Sequence, residues 1–221
     1  IKTKYEKRRQ QSSRLEEENH KFFTNERINL DSSSIIFNSW DKKKNIKFPK
    51  EMTPELAEEI GVHLGDGCLS FNKKYFSVKT NKIEESYMFG FLFPLYKKLY
   101  NLDLKLMGLE SVVGFEVYSK AFFDFKNKIL QIPYGEKVHR IEVPKVVLDS
   151  RNKDVYRAFI RGIFDTDGCV YMPPSKRKYS VITFTIKSEK LIKQMKDMLI
   201  KLGFIPYVGR WVINLNGPLM L

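Results

Sequence analysis

Cysteine is almost missing from this chain, with two residues in 221. Two cysteines do not make a disulfide framework, so the fold must hold through its core, and a reducing compartment is expected. Long apolar runs are missing too. None approaches the roughly 20 residues that a membrane-spanning helix needs. The first residues, Ile1 to Arg9, alternate in charge and carry no apolar segment of a secretory signal. The expectation is a cytoplasmic protein with no membrane partner. Histidine is scarce, and neither His20 nor His139 sits in an arrangement that would make it a general base. Acidic residues are the other shortage. Thirty-nine Lys and Arg face 26 Asp and Glu, a net charge of +13. Such a field attracts polyanions, and nucleic acid is the commonest of these for a basic protein of this size.

The length allows one large domain or two small ones. Residues 1–50 read as a charged N-terminal extension with 13 basic and 7 acidic residues. Lys4 to His20 lacks an apolar stripe, Asp31-Ser32-Ser33-Ser34 reads as a break, and Asp41 to Lys50 as a basic linker. A DNA-contacting arm and an ordinary solvated extension both fit this stretch. Periodicity begins at Met52. Thr53-Pro54-Glu55 is a helix start, with Thr as N-cap and Pro in the first turn. Leu56, Ile60 and Leu64 then share a face, and the helix ends at Gly65-Asp66-Gly67. Strands follow on either side of Asn72-Lys73-Lys74. A helix over Glu84 to Tyr100 is predicted to break or kink at Pro94. A second strand pair is predicted at Leu102 to Leu106 and Val112 to Ser119, then a helix over Lys120 to Leu130. After a connector at 132–150 the order restarts. A helix spans Arg151 to Asp165, capped by Ser150 or Asn152. Strands cover Gly168 to Met172 and Tyr179 to Ile186, a helix Ser188 to Leu202, and strands Phe204 to Val208 and Trp211 to Leu215.

The chain is thus an internal repeat of helix, two strands, helix, two strands, with copies at 51–131 and 151–221. The first copy adds a final helix; the second reaches Leu221 where that helix is due. With Ile rather than Met at position 1, both ends are expected to be trimmed.

Aligning the copies pairs Gly61 with Gly162, Asp66 with Asp167, Gly67 with Gly168 and Cys68 with Cys169, all 101 residues apart. A glycine inside a helix costs about 1 kcal/mol against Ala, which makes sense where two backbones approach too closely for a Cβ. Two such helices would pack Gly61 near Gly162 across a pseudo-twofold axis and bring Asp66 and Asp167 together at their ends. The glycine after each Asp would let the chain leave the helix in a left-handed conformation. Two adjacent carboxylates repel unless protonated or bridged by a cation. In a protein that binds a polyphosphate the natural bridge is Mg²⁺, with Mn²⁺ or Ca²⁺ as substitutes in binding. That arrangement supports metal-assisted phosphodiester hydrolysis. His63 reads as a packed residue of the first motif helix. Asp165 reads as a helix-end or supporting group. Cys68 and Cys169 read as small residues at strand starts.

These segments resemble the two motifs of the LAGLIDADG homing endonucleases, in the double-motif, monomeric, archaeal-type form. Ile160 to Gly168 matches the nine-residue pattern closely. Glu59 to Gly67 is looser: Glu59 replaces the first apolar residue, and the ending is Leu64-Gly65-Asp66-Gly67. The resemblance covers about residues 50–216. It implies an α+β fold of two pseudo-symmetric αββαββα repeats packed through the motif helices, with curved antiparallel sheets forming a DNA-binding saddle. It implies a site-specific double-strand DNA endonuclease that uses Asp66 and Asp167 as metal ligands and catalytic acids, with Gly65 and Thr166 beside them at the metal. It also implies a basic residue near the metal in each half, here Lys82, with Lys79 as its competitor, and Lys187. The expected partner is double-stranded DNA with a long asymmetric target. Two-stranded ribbons can enter a major groove, and Asn72, Lys73, Lys74, Ser77, Lys79, Lys176, Arg177, Lys178, Thr183 and Thr185 are the outward candidates for contact. An intron maturase with an RNA partner and a non-cleaving DNA-binding regulator are the alternatives on the same fold.

Overall fold

The structure, a computed structural model, describes residues 6, 10, 13–14, 17, 19–72, 74–172 and 179–216. After a short helix α1 (Ser39–Lys43), the chain enters the long helix α2 (Pro54–Asp66). Thr53 caps it as expected, its hydroxyl oxygen accepting from the Leu56 N–H at 3.2 Å. Strands β1 (Gly67–Ser70) and β2 (Tyr75–Asn81) form a hairpin. Helix α3 runs through Glu85–Tyr87, a π-helical turn Met88–Leu92 and Phe93–Tyr100. The distortion thus lies just upstream of Pro94 rather than at it. Proline lacks an N–H and its ring crowds the carbonyl four residues back, and the wider turn makes that room.

Strands β3 (Met107–Leu109) and β4 (Val112–Tyr118) close the first sheet in the order β1-β2-β4-β3. The strand predicted at Leu102 to Leu106 is instead a loop, with Leu102 buried and Leu104 and Leu106 half-buried against the core. Pairing starts later because Leu109 lies directly opposite Val112 across a tight turn, with Glu110 at a positive φ of 44°. Helix α4 (Lys120–Asp124) continues as a π-helical turn Phe125–Ile129. Its cap, Ser119, accepts from Phe122 N–H at 3.0 Å.

The second half repeats the plan. A short helix α5 (Lys145–Asp149) leads into α6 (Lys153–Asp167). Asn152, not Ser150, is its cap, accepting from Asp154 N–H at 2.9 Å and Val155 N–H at 3.1 Å. Strands β5 (Gly168–Tyr171), β6 (Val181–Thr185), β7 (Tyr207–Val208) and β8 (Val212–Asn216) make a sheet in the matching order β5-β6-β8-β7, with α7 (Glu189–Lys201) behind it. Helices α2 and α6 pack against each other along their length. The protein is α+β, with two four-stranded antiparallel sheets flanking a central helix pair.

The central helices meet through the two glycines. A Cβ on Gly61 would strike the Phe159 carbonyl and the Ile163 N, and one on Gly162 would strike the Glu58 carbonyl and the Val62 N. Each glycine therefore lies against the backbone of the opposite helix. Glu58 and Arg161 add an ion pair across the same interface. The glycines after the motif acids behave differently from expectation. Gly67 and Gly168 are extended, with φ of −76° and −96°, not left-handed. What demands glycine there is space: a Cβ on Gly67 would meet His63, and one on Gly168 would meet Phe164.

Much of the stretch read as an extension belongs to the first half's core. Leu30, Ile35, Ile46 and Phe48 are buried. Phe48 stacks on Phe125 at 4.4 Å, and burying such a ring contributes about 1.5–3 kcal/mol. Asp41, also buried, accepts the Ser119 hydroxyl at 2.5 Å, which ties α1 to the cap of α4. Further upstream, Phe23 packs edge-on against Tyr156 of the second half at 5.6 Å. Lys4 to His20 lies largely outside the described residues.

Candidate active site and nucleic-acid interface

The two motif helices end side by side, so Asp66 and Asp167 occupy one half-buried site between the sheets. The influence of Asp167 is visible in the ionisation of Asp66. Burial pushes the Asp66 carboxyl up to about 6, helped by repulsion from Asp167 and Glu84. Burial also raises the Asp167 carboxyl, opposed by Lys137. The residues just before the acids meet as well: a Cβ on Gly65 would run into the Thr166 side chain. The Thr166 hydroxyl itself donates to the Ile163 carbonyl at 3.1 Å.

Lys137 is a neighbour of the acids that the sequence did not single out. Its ammonium donates to the carbonyls of His63, Leu64 and Gly65 at 2.8, 2.8 and 2.7 Å. It thus caps the end of α2, where a cation opposes the negative end of the helix dipole. Burial lowers its pKa to about 8, while Asp167 and Asp66 pull in the other direction. Lys137 lies in the irregular connector, where no periodicity singles it out. Thr80 and Glu84 also border the acids. The Thr80 hydroxyl donates to the Glu84 carboxylate, with the Asp66 carboxylate as the alternative acceptor within reach. His63 is packed as expected, fully buried and stacked on Phe76 at 4.9 Å. Burial, then Lys126 and Lys137, drives its pKa well down, so the ring is held neutral and away from solvent. Asp165 accepts from the Tyr87 hydroxyl at 3.2 Å, a contact between the halves.

Lys82 and Lys187 stand exposed just after β2 and β6. They are not equivalent. Gly67 lies opposite Val78 and Gly168 opposite Phe184, so the register pairs Lys187 with Asn81, and Lys82 with Ser188. Those two partners, Asn81 and Ser188, are the helix caps that follow each strand.

Could this site hold a divalent ion? Among the described residues no cluster of three or more His, Cys, Asp or Glu side chains makes a metal cage. The donors offered are two carboxylates and neighbouring carbonyls, all hard oxygens, with Gly65's carbonyl engaged by Lys137. Two carboxylates that repel each other, with coordination left open for water and phosphate, suit Mg²⁺. The donor set therefore fits.

The outer faces of the sheets carry the candidate contacts. On β2, Phe76 and Val78 face the core, which puts Tyr75, Ser77 and Lys79 outward. Lys79 is exposed, but Ser77 is buried between its strand neighbours Cys68 and Glu116. Asn72 is exposed at the hairpin turn. Lys74 is committed to its own hairpin, its ammonium 3.2 Å from the Phe71 ring centre and 4.5 Å from that of Phe123. On β6, Thr183 is half-buried and Thr185 exposed. Thr183 lies opposite Cys169 and Asn214, whose Oδ1 is buried with no hydrogen-bond partner among the described residues. Cys68 and Cys169 are free and exposed. Lys73, Lys176, Arg177 and Lys178 lie outside the described residues. No described helix is long and apolar enough to cross a membrane.

Residues 154–215 match the family described as LAGLIDADG-like domain. One of the proteins of the A-type ATP synthase of Pyrococcus abyssi is 28% identical over 171 residues, 77% of this chain and 16% of the relative. Glutamine–fructose-6-phosphate aminotransferase of Methanocaldococcus jannaschii is 27% identical over 163 residues, 72% of this chain and 14% of the relative. The chain thus spans about a sixth or less of the length of these relatives. Among solved structures, I-DmoI in complex with DNA and Mn aligns at a TM-score of 0.52 and 17% identity, over 74% of this chain and 89% of that one. The homing endonuclease I-WcaI, bound to its DNA recognition sequence, aligns at 0.54 and 15% identity over 80% of each chain. At these identities the likeness establishes the shared fold.

Proposed function

We propose that this chain, whose residues 154–215 match the LAGLIDADG-like domain and whose fold is that of homing endonucleases, is a metal-dependent, site-specific double-strand DNA endonuclease. One observation carries the reading. Paired glycines bring two helices close enough to deliver two half-buried, mutually repelling carboxylates to the axis between two outward-facing sheets. A core built only for stability has no use for that repulsion. Two relatives with unrelated names share this one segment, which supports a self-contained module carried by different hosts. Solved proteins of this fold hold DNA with Mn or Ca, and one variant was crystallised on its target with Mg.

Asp66 and Asp167 would hold the divalent ion, which when bound supplies charge neutralisation at the phosphate and an activated water. Each acid serves one strand. Lys137, placed at both acids with its three N–H donors spent on the α2 carbonyls, would add positive charge near the scissile phosphate while a water oxygen bonds phosphorus and the bond to the 3′ oxygen breaks, that oxygen taking a proton from solvent. Lys82 and Lys187, exposed just beyond β2 and β6, are the further cations proposed for the phosphate backbone. The sheets and hairpin tips bind the flanking duplex. Net positive charge makes that binding fall steeply with salt, because Lys and Arg displace condensed counterions.

The test is cleavage of a randomised DNA library with Mg²⁺, followed by sequencing of the cut ends. The Asp66→Asn/Asp167→Asn double variant is the background. A long defined site cut by the wild type alone supports the reading. Cleavage that persists in the double variant removes these acids from the chemistry. Recovery of bound but uncut DNA points to a regulator, and of bound RNA to a maturase.

A further inference from the structure

We propose that Lys79 and Glu116 act together as a reader of a single G·C base pair in the half-site that faces the first sheet. This rests on the reading of the protein as a DNA endonuclease and names part of its target.

Lys79 on β2 and Glu116 on β4 project from the outer face of the first sheet, with the ammonium 2.8 Å from the carboxylate. The other Glu116 oxygen accepts from the Tyr118 hydroxyl at 2.7 Å, and Tyr118 stacks on Tyr75 at 5.3 Å. The carboxylate is thus held in place from two sides. The residue directly across from Lys79 is Gly114. A Cβ there would strike the backbone of Val78 and Lys79. A depression of about 200 Å³ lies beside the ion pair, bordered by Met107, Gly108 and Val112. A base edge can approach the pair over this depression.

A carboxylate on a surface that meets phosphates is repelled by them, so its presence calls for a specific partner. In the major groove a G·C pair shows two acceptors, N7 and O6 of guanine, next to a donor, N4 of cytosine. Lys pairs with the first set and Glu accepts from the second. Guanine O6 and cytosine N4 are themselves joined by a hydrogen bond of about 2.9 Å, close to the separation of the Lys79 and Glu116 head groups. An A·T pair sets its donor, adenine N6, between two acceptors, so on the ammonium's side of that donor one acceptor remains instead of two. The second sheet lacks this device. Its register puts Thr185 and Asn214 at the equivalent positions, and Val212 where Gly114 stands. The recognition is therefore confined to one half of the target.

The test is selection of bound DNA from a randomised library, in Ca²⁺, by wild type, Glu116→Gln and Lys79→Met. Both positions are partly exposed, and a melting curve checks that each variant folds. Wild type should select one position as G·C in one half-site. Both variants should relax that same position by roughly 10-fold or more while the rest of the site is unchanged. A defined site whose profile neither variant changes would overturn the dyad but leave the endonuclease standing. So would selection of A·T at the position the variants affect. No defined site for wild type would sink both readings together.

Discussion

Where the first half buries a glutamate, the second buries an isoleucine. Glu59 and Ile160 are equivalent positions on the two motif helices, and both are buried. Glu59 receives the Lys126 ammonium and the Tyr96 hydroxyl, and the Tyr100 hydroxyl at 2.9 Å. One helical turn further along, His63 in the first half answers Phe164 in the second. Yet the glycines and terminal acids of the same helices match position for position. Symmetry has been kept where the two halves must touch and where the proposed chemistry sits. Behind that seam each half has its own core, and on the outer faces each has its own surface, Lys79 and Glu116 against Thr185 and Asn214.

The seam should be the least tolerant place. Gly61→Val or Gly162→Val drives a side chain into the partner backbone, and each should cost about 4 kcal/mol or more, measured by chemical denaturation. The cores come next. Lys126→Met leaves the Glu59 charge buried without its cation and should cost about 3–5 kcal/mol. Rebuilding the first core like the second, with Glu59→Ile, Lys126→Leu, Tyr96→Phe and Tyr100→Phe together, should recover most of that loss. If the combined variant is as unstable as Lys126→Met, the polar cluster is more than a variant way of filling the core.

A smaller effect separates the acids from the rest. The Asp66 carboxyl is raised from 3.8 to about 6, so its charge opposes folding above about pH 6 and does nothing below 3.8. Without divalent metal, Asp66→Asn should therefore raise stability at pH 8 by about 1–2 kcal/mol, after discounting for solvent screening. The gain should shrink through pH 6 and vanish near pH 4, read from melting curves. The smallest effect is a control on the glycine argument. A Cβ on Gly90 meets nothing within 4 Å. Gly90→Ala should stabilise by about 0.4–1 kcal/mol.

The sequence made the seam legible because one offset, 101 residues, relates all its parts, and because Thr53 announces a helix by capping chemistry that acts locally. What it hid depends on distant partners. Lys137 finds its place only when the connector folds back over the end of α2. The hairpin of the second half differs from the first by five residues, which register alone reveals and which separates Lys82 from Lys187. Leu30, Ile35, Ile46 and Phe48 are spaced too irregularly to mark a helix or strand, yet they cover the first core. Glu116 was within reach: it alternates with the inward Phe115 and Val117.

The most direct test of the central claim is strand-resolved. On a target obtained by selection, with Mg²⁺, nicking of each strand and binding are measured separately for wild type, Asp66→Asn and Asp167→Asn. Wild type should cut both strands. Each variant should bind nearly as tightly and lose double-strand cleavage by roughly 10³-fold, the scale of several kcal/mol of metal-borne stabilisation. A variant that cuts both strands at the wild-type rate would contradict the account.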